Sequence, residues 1–132
     1  MDFVSVRIIT DDIKRLVAFY GQVTRLAPRW FTDDFAEIAT PSCTLAIGST
    51  RTLQMFEAGD TRFGANRSAI FEFLVDDVDA EYERLKPVLN DVVQEPTTLP
   101  WGNRSLLFRD PDGSLVNLFT PVSAEAKRKF GR

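Results

Sequence analysis

The sequence predicts an α+β fold built from two tandem βαβββ modules, and three observations point to it. First, two alternating segments, Phe3–Ile9 and Ala69–Val75, each run into a pair of aspartates and then a stretch of helical periodicity. Second, Asp11-Asp12-Ile13 aligns on Asp76-Asp77-Val78 at an offset of 65 residues, and Leu53-Gln54-Met55-Phe56 aligns on Val116-Asn117-Leu118-Phe119 at an offset of 63. Near-equal offsets at the two ends are the mark of a duplicated unit. Third, a stretch without periodicity, rich in Gly, Asp, Asn and Arg, separates the halves between Ala58 and Arg67.

In Phe3–Ile9, Val4, Val6 and Ile8 share one face of a strand and Phe3, Ser5, Arg7 and Ile9 the other. Asp11 or Asp12 then caps a helix that reaches Tyr20 or slightly beyond, with Ile13, Leu16, Val17 and Tyr20 as its apolar stripe. Short strands are predicted near Arg29–Phe31, Phe35–Thr40, Thr44–Gly48 and Thr52–Glu57, broken by Pro41-Ser42 and Gly48-Ser49-Thr50. In the second half, Phe71, Phe73 and Val75 share a strand face. A helix runs from Val78 to about Leu89, with Pro87 shortening or kinking its end. Strands near Val92–Glu95, Arg104–Arg109 and Leu115–Thr120 complete the module, the last two joined by an Asp110-Pro111-Asp112-Gly113 turn. The tail from Ser123 is predicted to form a short helix ending at Gly131. The expected organisation is one domain over residues 1–132. Module one extends to about residue 58, the linker covers about 59–67, module two about 68–122, and the tail 123–132. Val4, Val6, Ile8, Phe71, Phe73, Val116, Leu118 and the helix stripes are the predicted core.

Composition excludes several functions. The chain has no histidine, which removes Ser-His-Asp and Cys-His nucleophilic mechanisms and any metal site that uses imidazole. The single cysteine, Cys43, sits in an apolar run and cannot form an internal disulfide. The net charge is −3 and basic residues concentrate only in the last few positions, so no nucleic-acid-binding face is expected. No segment resembles a signal peptide or approaches the roughly 20 apolar residues of a membrane span. A cytoplasmic protein without nucleic-acid or membrane partners is expected.

The segment Pro100-Trp101-Gly102-Asn103-Arg104-Ser105-Leu106-Leu107-Phe108-Arg109-Asp110-Pro111-Asp112-Gly113-Ser114-Leu115-Val116-Asn117-Leu118 resembles the C-terminal signature of the vicinal-oxygen-chelate superfamily. This is the superfamily of glyoxalases, bleomycin-resistance proteins and extradiol dioxygenases. Asp12-Ile13 followed by Ala18-Phe19-Tyr20 is similar to the same family's first strand–helix unit, and Asp76-Asp77-Val78-Asp79 to its second. The resemblance implies a curved mixed sheet with a concave ligand cavity. It also implies a homodimer, and a divalent metal held at four positions on the first and last strands of the modules. Carried over, those positions fall on Ser5, Gln54, Ile70 and Asn117. A hydroxyl, two neutral amides and an aliphatic group bring no charge to offset dehydration of a divalent ion. The expectation is therefore no metal site, no cofactor and no catalytic residue of the family's metal-dependent type.

The candidate ligand-binding residues follow from alternation and composition. Ser5, Arg7, Gln54, Phe56, Glu72, Asn117 and Phe119 project from the faces that would carry the metal. Arg7 and Glu72 occupy equivalent positions, either orienting a polar ligand or neutralising one another. Trp30, Phe31 and Trp101 are candidates for stacking on a planar compound. Asn103 and Arg104 lie next to Trp101, and the alternation leaves open which of them faces the ligand. Three functions are expected in order. The first is a metal-independent small-molecule binder that sequesters a hydrophobic or aromatic compound such as an antibiotic. The second is a superfamily enzyme of lyase, isomerase or dioxygenase type with an atypical or absent metal site, with Glu72 and Arg7, or another carboxylate, as acid–base groups. The third is a protein-interaction or regulatory module.

Overall fold

The computed structural model of the protein describes residues 1–55 and 59–132. They form two compact units, Met1–Asn66 and Arg67–Arg132. Each is a four-stranded mixed sheet with a helix against one face.

In the first unit the elements run β1 (Ser5–Thr10), α1 (Ile13–Thr24), β2 (Arg29–Thr32), β3 (Phe35–Ala39) and β4 (Thr44–Ser49). The sheet order is β1-β4-β3-β2, with β1 parallel to β4 and the remaining pairs antiparallel. The parallel pair is what a helical crossover permits, and the tight β2–β3–β4 turns give the antiparallel ones. The Asp12 side chain accepts the Arg15 N–H and caps α1. The helix then buries Ile13, Leu16, Val17, Phe19, Tyr20 and Val23. The register sets Leu45 beside Ile38 and Ile47 beside Ala36, and these four buried side chains form the sheet's half of the core. Val4, expected in that core, is 66% exposed. The strand begins only at Ser5, and Val6 and Ile8, also expected in the core, are half-buried.

The predicted strand at Thr52–Glu57 is corrected by the structure. Thr50–Met55 is a 3-10 helix, and β4 is the last strand of the first unit among the described residues; positions 56 and 57 of the predicted strand lie outside them. The chain leaves the sheet because local polar groups capture it. The Thr52 hydroxyl donates to the Ser49 carbonyl at 2.7 Å and the Arg51 N–H donates to the Ser49 hydroxyl. A side chain at Gly48 would meet the Thr52 hydroxyl at 2.8 Å, so the glycine makes room for the turn. Asp34, on the β2–β3 turn, ties this corner together. Its carboxylate accepts from the Ser49 hydroxyl at 2.8 Å and pairs with Arg51 at 2.6 Å.

The Arg51 hydrogen bond, and then that of Ser49, hold the Asp34 carboxyl below its ordinary value of 3.8. A depressed carboxyl stabilises the fold above its unfolded pKa, and that contribution disappears as pH falls through the folded value. The expected outcome is an Asp34 titration below 3.8 by carboxyl NMR, moving up in Arg51→Ala. An unshifted midpoint in both proteins would remove this link from the account.

The second unit repeats the plan: β5 (Ile70–Leu74), α2 (Val78–Leu85), β6 (Val92–Thr98), β7 (Asn103–Arg109), β8 (Leu115–Pro121) and α3 (Ala124–Lys129). Its order is β5-β8-β7-β6, with β5 parallel to β8. Asp77 caps α2 by accepting from the Ala80 N–H. The helix ends at Leu85, earlier than predicted, two residues before Pro87. Phe71, Val116 and Phe108 lie side by side in register, as do Phe73, Leu118 and Leu106. With Val78, Leu85 and Leu89 they make the core, Phe73 being only half-buried. Pro96 falls within β6, an edge strand, at a register shift between Gln94 and Thr97, which is where a residue without an N–H is tolerated.

Candidate functional site

Alternation assigns every strand residue to the helix-packed face or the opposite one, and the opposite faces carry most of the candidates. On the first unit that face presents Ser5, Arg7 and Ile9 on β1, Thr44 and Ala46 on β4, and Phe35 and Glu37 on β3. The Arg7 guanidinium lies 4.4 Å from the centre of the Phe35 ring. Phe35 stacks at 5.5 Å on Phe31, and the Arg29 guanidinium lies 4.9 Å from the Phe31 ring. Two cations thus bracket two aromatic rings, an arrangement the ring quadrupole favours. Trp30 does not join them. It pairs with the buried Ala36 and therefore points to the helix side of edge strand β2.

Gln54 is exposed on the 3-10 helix and not on a strand. The strand position equivalent to Asn117 is Ala46. Ala46 pairs with Arg7 as Asn117 pairs with Glu72, and Arg7 and Glu72 are related by the 65-residue offset of the helix caps. Phe56 lies outside the described residues.

On the second unit the corresponding face presents Ile70, Glu72 and Leu74 on β5, Leu115, Asn117 and Phe119 on β8, and Asn103, Ser105 and Leu107 on β7. The Asn117 amide donates to the Glu72 carboxylate at 2.7 Å. This bond fixes the orientation of the amide and turns its Oδ1 away from the carboxylate. Glu72 is exposed, whereas Asn117 is 7% exposed and Ser105 1%. The Asn117 Oδ1, the Ser105 Oγ and the Asn103 Oδ1 are all buried without a hydrogen-bond partner. The open question about residues 103 and 104 is thereby answered. Asn103 shares this face, while Arg104 lies on the other side and reaches α2, donating to both oxygens of Asp79 at 2.8 and 3.0 Å. The Arg104 hydrogen bond lowers the Asp79 carboxyl below its ordinary value. Trp101 is 66% exposed in the turn before β7. Phe119 meets Phe130, just past the end of α3, with ring centres 5.2 Å apart. Ser105, Leu107, Phe35 and Ala46 were not among the sequence candidates. Ser105 was within reach of simple alternation, two residues beyond Asn103 on the same strand.

The donor set can be tested against the divalent metal that the fold implies. Ala46 and Ile70 carry no donor atom, and Ser5 and Asn117 offer only neutral oxygens. Among the described residues no group of three or more His, Cys, Asp or Glu side chains is placed to hold a metal ion. These residues do not fit the metal. Among the described residues no helix is long and apolar enough to cross a membrane.

The sequence matches the Glyoxalase/Bleomycin resistance protein/Dioxygenase superfamily over residues 2–118, and the chain belongs to that superfamily. Several solved structures share its fold. One is a glyoxalase/bleomycin resistance protein/dioxygenase family enzyme from Burkholderia phytofirmans PsJN, with TM-score 0.81 and 17% identity over 92% of this chain and 100% of that one. Another is a glyoxalase-related enzyme from Fulvimarina pelagi, with TM-score 0.77 and 19% identity over 94% of each chain. A third is a glyoxalase/bleomycin resistance protein/dioxygenase from Nocardioides, with TM-score 0.75 and 19% identity over 94% of this chain and 85% of that one. No curated protein shows significant sequence similarity to the chain.

Proposed function

We propose that this chain is a metal-independent small-molecule-binding protein that sequesters a hydrophobic or aromatic compound, such as an antibiotic. The observation that carries the reading is the chemistry at the four metal positions, which are Ser5, Ala46, Ile70 and Asn117 once the strand register is applied. No carboxylate, imidazole or thiolate stands at any of them, so a divalent cation has no charged ligand there. What the same faces do offer is a mix of aromatic walls and a few polar groups: Phe31, Phe35 and Arg7 in one unit, Phe119, Asn117 and Glu72 in the other. Such a mix suits an organic ligand. The proposal includes a homodimer, on the family resemblance alone.

Trp30 and Trp101 are the only tryptophans, so intrinsic fluorescence reports on binding. Titration with planar aromatic compounds is expected to quench or shift the emission saturably, and Trp101→Phe to reduce that response. A flat response across planar cations, anions and neutral compounds would contradict the reading.

A further inference from the structure

Three unpartnered atoms on one sheet face of the second unit share a chemical character, and it constrains what binds there. The Asn117 Oδ1, the Ser105 Oγ and the Asn103 Oδ1 are all able to accept hydrogen bonds, and none has a donor. They lie on one sheet face: Asn117 and Phe119 on β8 stand opposite Leu107 and Ser105 on β7, so Asn117 and Ser105 are diagonal neighbours. Asn117 already spends an N–H on Glu72, and the end of its amide left without a partner is the oxygen. Glu72 is an acceptor when ionised, and it is the exposed member of the group. A buried polar atom without a partner is costly, so a face that keeps several of them is incomplete as it stands.

We infer that the second unit's face binds the hydrogen-bond-donating, positively charged end of an organic ligand, an ammonium or amidinium group, through Glu72, the Asn117 Oδ1 and the Ser105 Oγ. This rests on the proposed function and names the ligand's polar chemistry. The cation enters on the exposed Glu72 side and its remaining N–H groups reach the buried acceptors. Phe119, on the same strand face, offers a wall to the ligand's apolar part. An anionic ligand meets the opposite situation, since the Glu72 carboxylate and the Asn117 Oδ1 oppose it and only the Ser105 hydroxyl can donate to it.

The test uses three matched probes on the full chain: 1-naphthylmethylammonium, 1-naphthalenemethanol and 1-naphthoate. Binding is read by fluorescence and by the NMR shifts of the Asn117 side-chain amide. The ammonium is expected to bind at least about tenfold tighter than the carboxylate, and Glu72→Gln to remove most of that preference, as charge-assisted bonds are lost. Ser105→Ala is expected to weaken the ammonium complex while leaving the melting temperature unchanged or higher, because it deletes an orphaned group. Equal or tighter binding of naphthoate at this face overturns the inference and leaves the binding function standing. Absence of binding by all three overturns both. A crystal structure in which fixed waters satisfy Asn117 and Ser105 and the ammonium does not displace them also overturns the inference.

Discussion

Gly102→Ala is expected to destabilise the protein by about 2–6 kcal/mol, since a left-handed backbone and overpacking each cost about 1–3 kcal/mol. Gly102 has φ 92°, a conformation that a β-carbon disfavours. A β-carbon there would also stand 2.0 Å from the Ser123 hydroxyl oxygen and 2.7 Å from its β-carbon. The contact cannot be relieved locally, because the Gly102 carbonyl accepts from both Val122 and Ser123 at the entrance to α3. The neighbour that would have to move is Ser123, the N-cap of α3, whose hydroxyl accepts from the Ala126 N–H. The helix must shift, and with it the Phe130 ring that packs on Phe119. Denaturant unfolding measures the loss. A double-mutant cycle apportions it: Ser123→Gly in the Gly102→Ala background recovers the part due to the clash and none of the part due to φ. A loss under about 1 kcal/mol would mean that α3 is not docked as described, since surface substitutions away from special sites stay near ±0.5 kcal/mol.

Phe108→Ala carries the second large effect, about 3–5 kcal/mol by the usual cost of a buried phenylalanine-to-alanine change. Phe108 is 0% exposed, one residue before the end of β7, and is in register with Val116 on one side and Val92 on the other. Its ring fills the layer between α2 and the sheet. The cavity left by alanine has no flexible neighbour to close it, because Leu106, Val116 and Leu85 are themselves fully buried. Set against a domain stability of roughly 5–15 kcal/mol, the variant sits near its unfolding threshold. The expected result is a large fall in the denaturant midpoint with little change in the slope. An unchanged midpoint would mean that the layer is loosely packed. The change also reaches the proposed ligand face, because Ser105 and Leu107 alternate with Phe108 on the same strand and take their placement from this core.

Much of the architecture could be read from residue patterns, for identifiable reasons. Asp12 and Asp77 announce their helices because a carboxylate that caps an N-terminus is followed by apolar residues at helical spacing. The Asp110–Gly113 turn was equally visible. Asp110 accepts from the Asp112 and Ser114 N–H groups and Gly113 takes φ 91°, which few other residue combinations allow. The zero count of histidine sets limits on the chemistry without any knowledge of the fold.

The end of the first module was the failure. Leu53-Gln54-Met55-Phe56 looks like Val116-Asn117-Leu118-Phe119, yet the second unit has six more residues between its first and last strands. Ser5 pairs with Thr44 and Ile70 with Leu115, so a constant offset cannot hold across the module. Gln54 was therefore placed on a strand when its backbone is a 3-10 helix held by Ser49 and Thr52. Side-chain capture of this kind is invisible to periodicity. Trp30 meets a related limit: strand alternation decides its face only after β2 is paired with β3. The orphaned oxygens of Asn103, Ser105 and Asn117 needed coordinates, because whether an amide finds a partner depends on strands far apart in the chain.

Elemental analysis of the protein purified without chelator, with and without incubation in iron, manganese, nickel and zinc salts, bears most directly on this account. Faces presenting Ser5 and Ala46 in one unit and Ile70 and Asn117 in the other predict only trace metal in every case, and unchanged thermal stability after incubation. Stoichiometric metal that survives dialysis and disappears in an Asn117→Leu variant would contradict it.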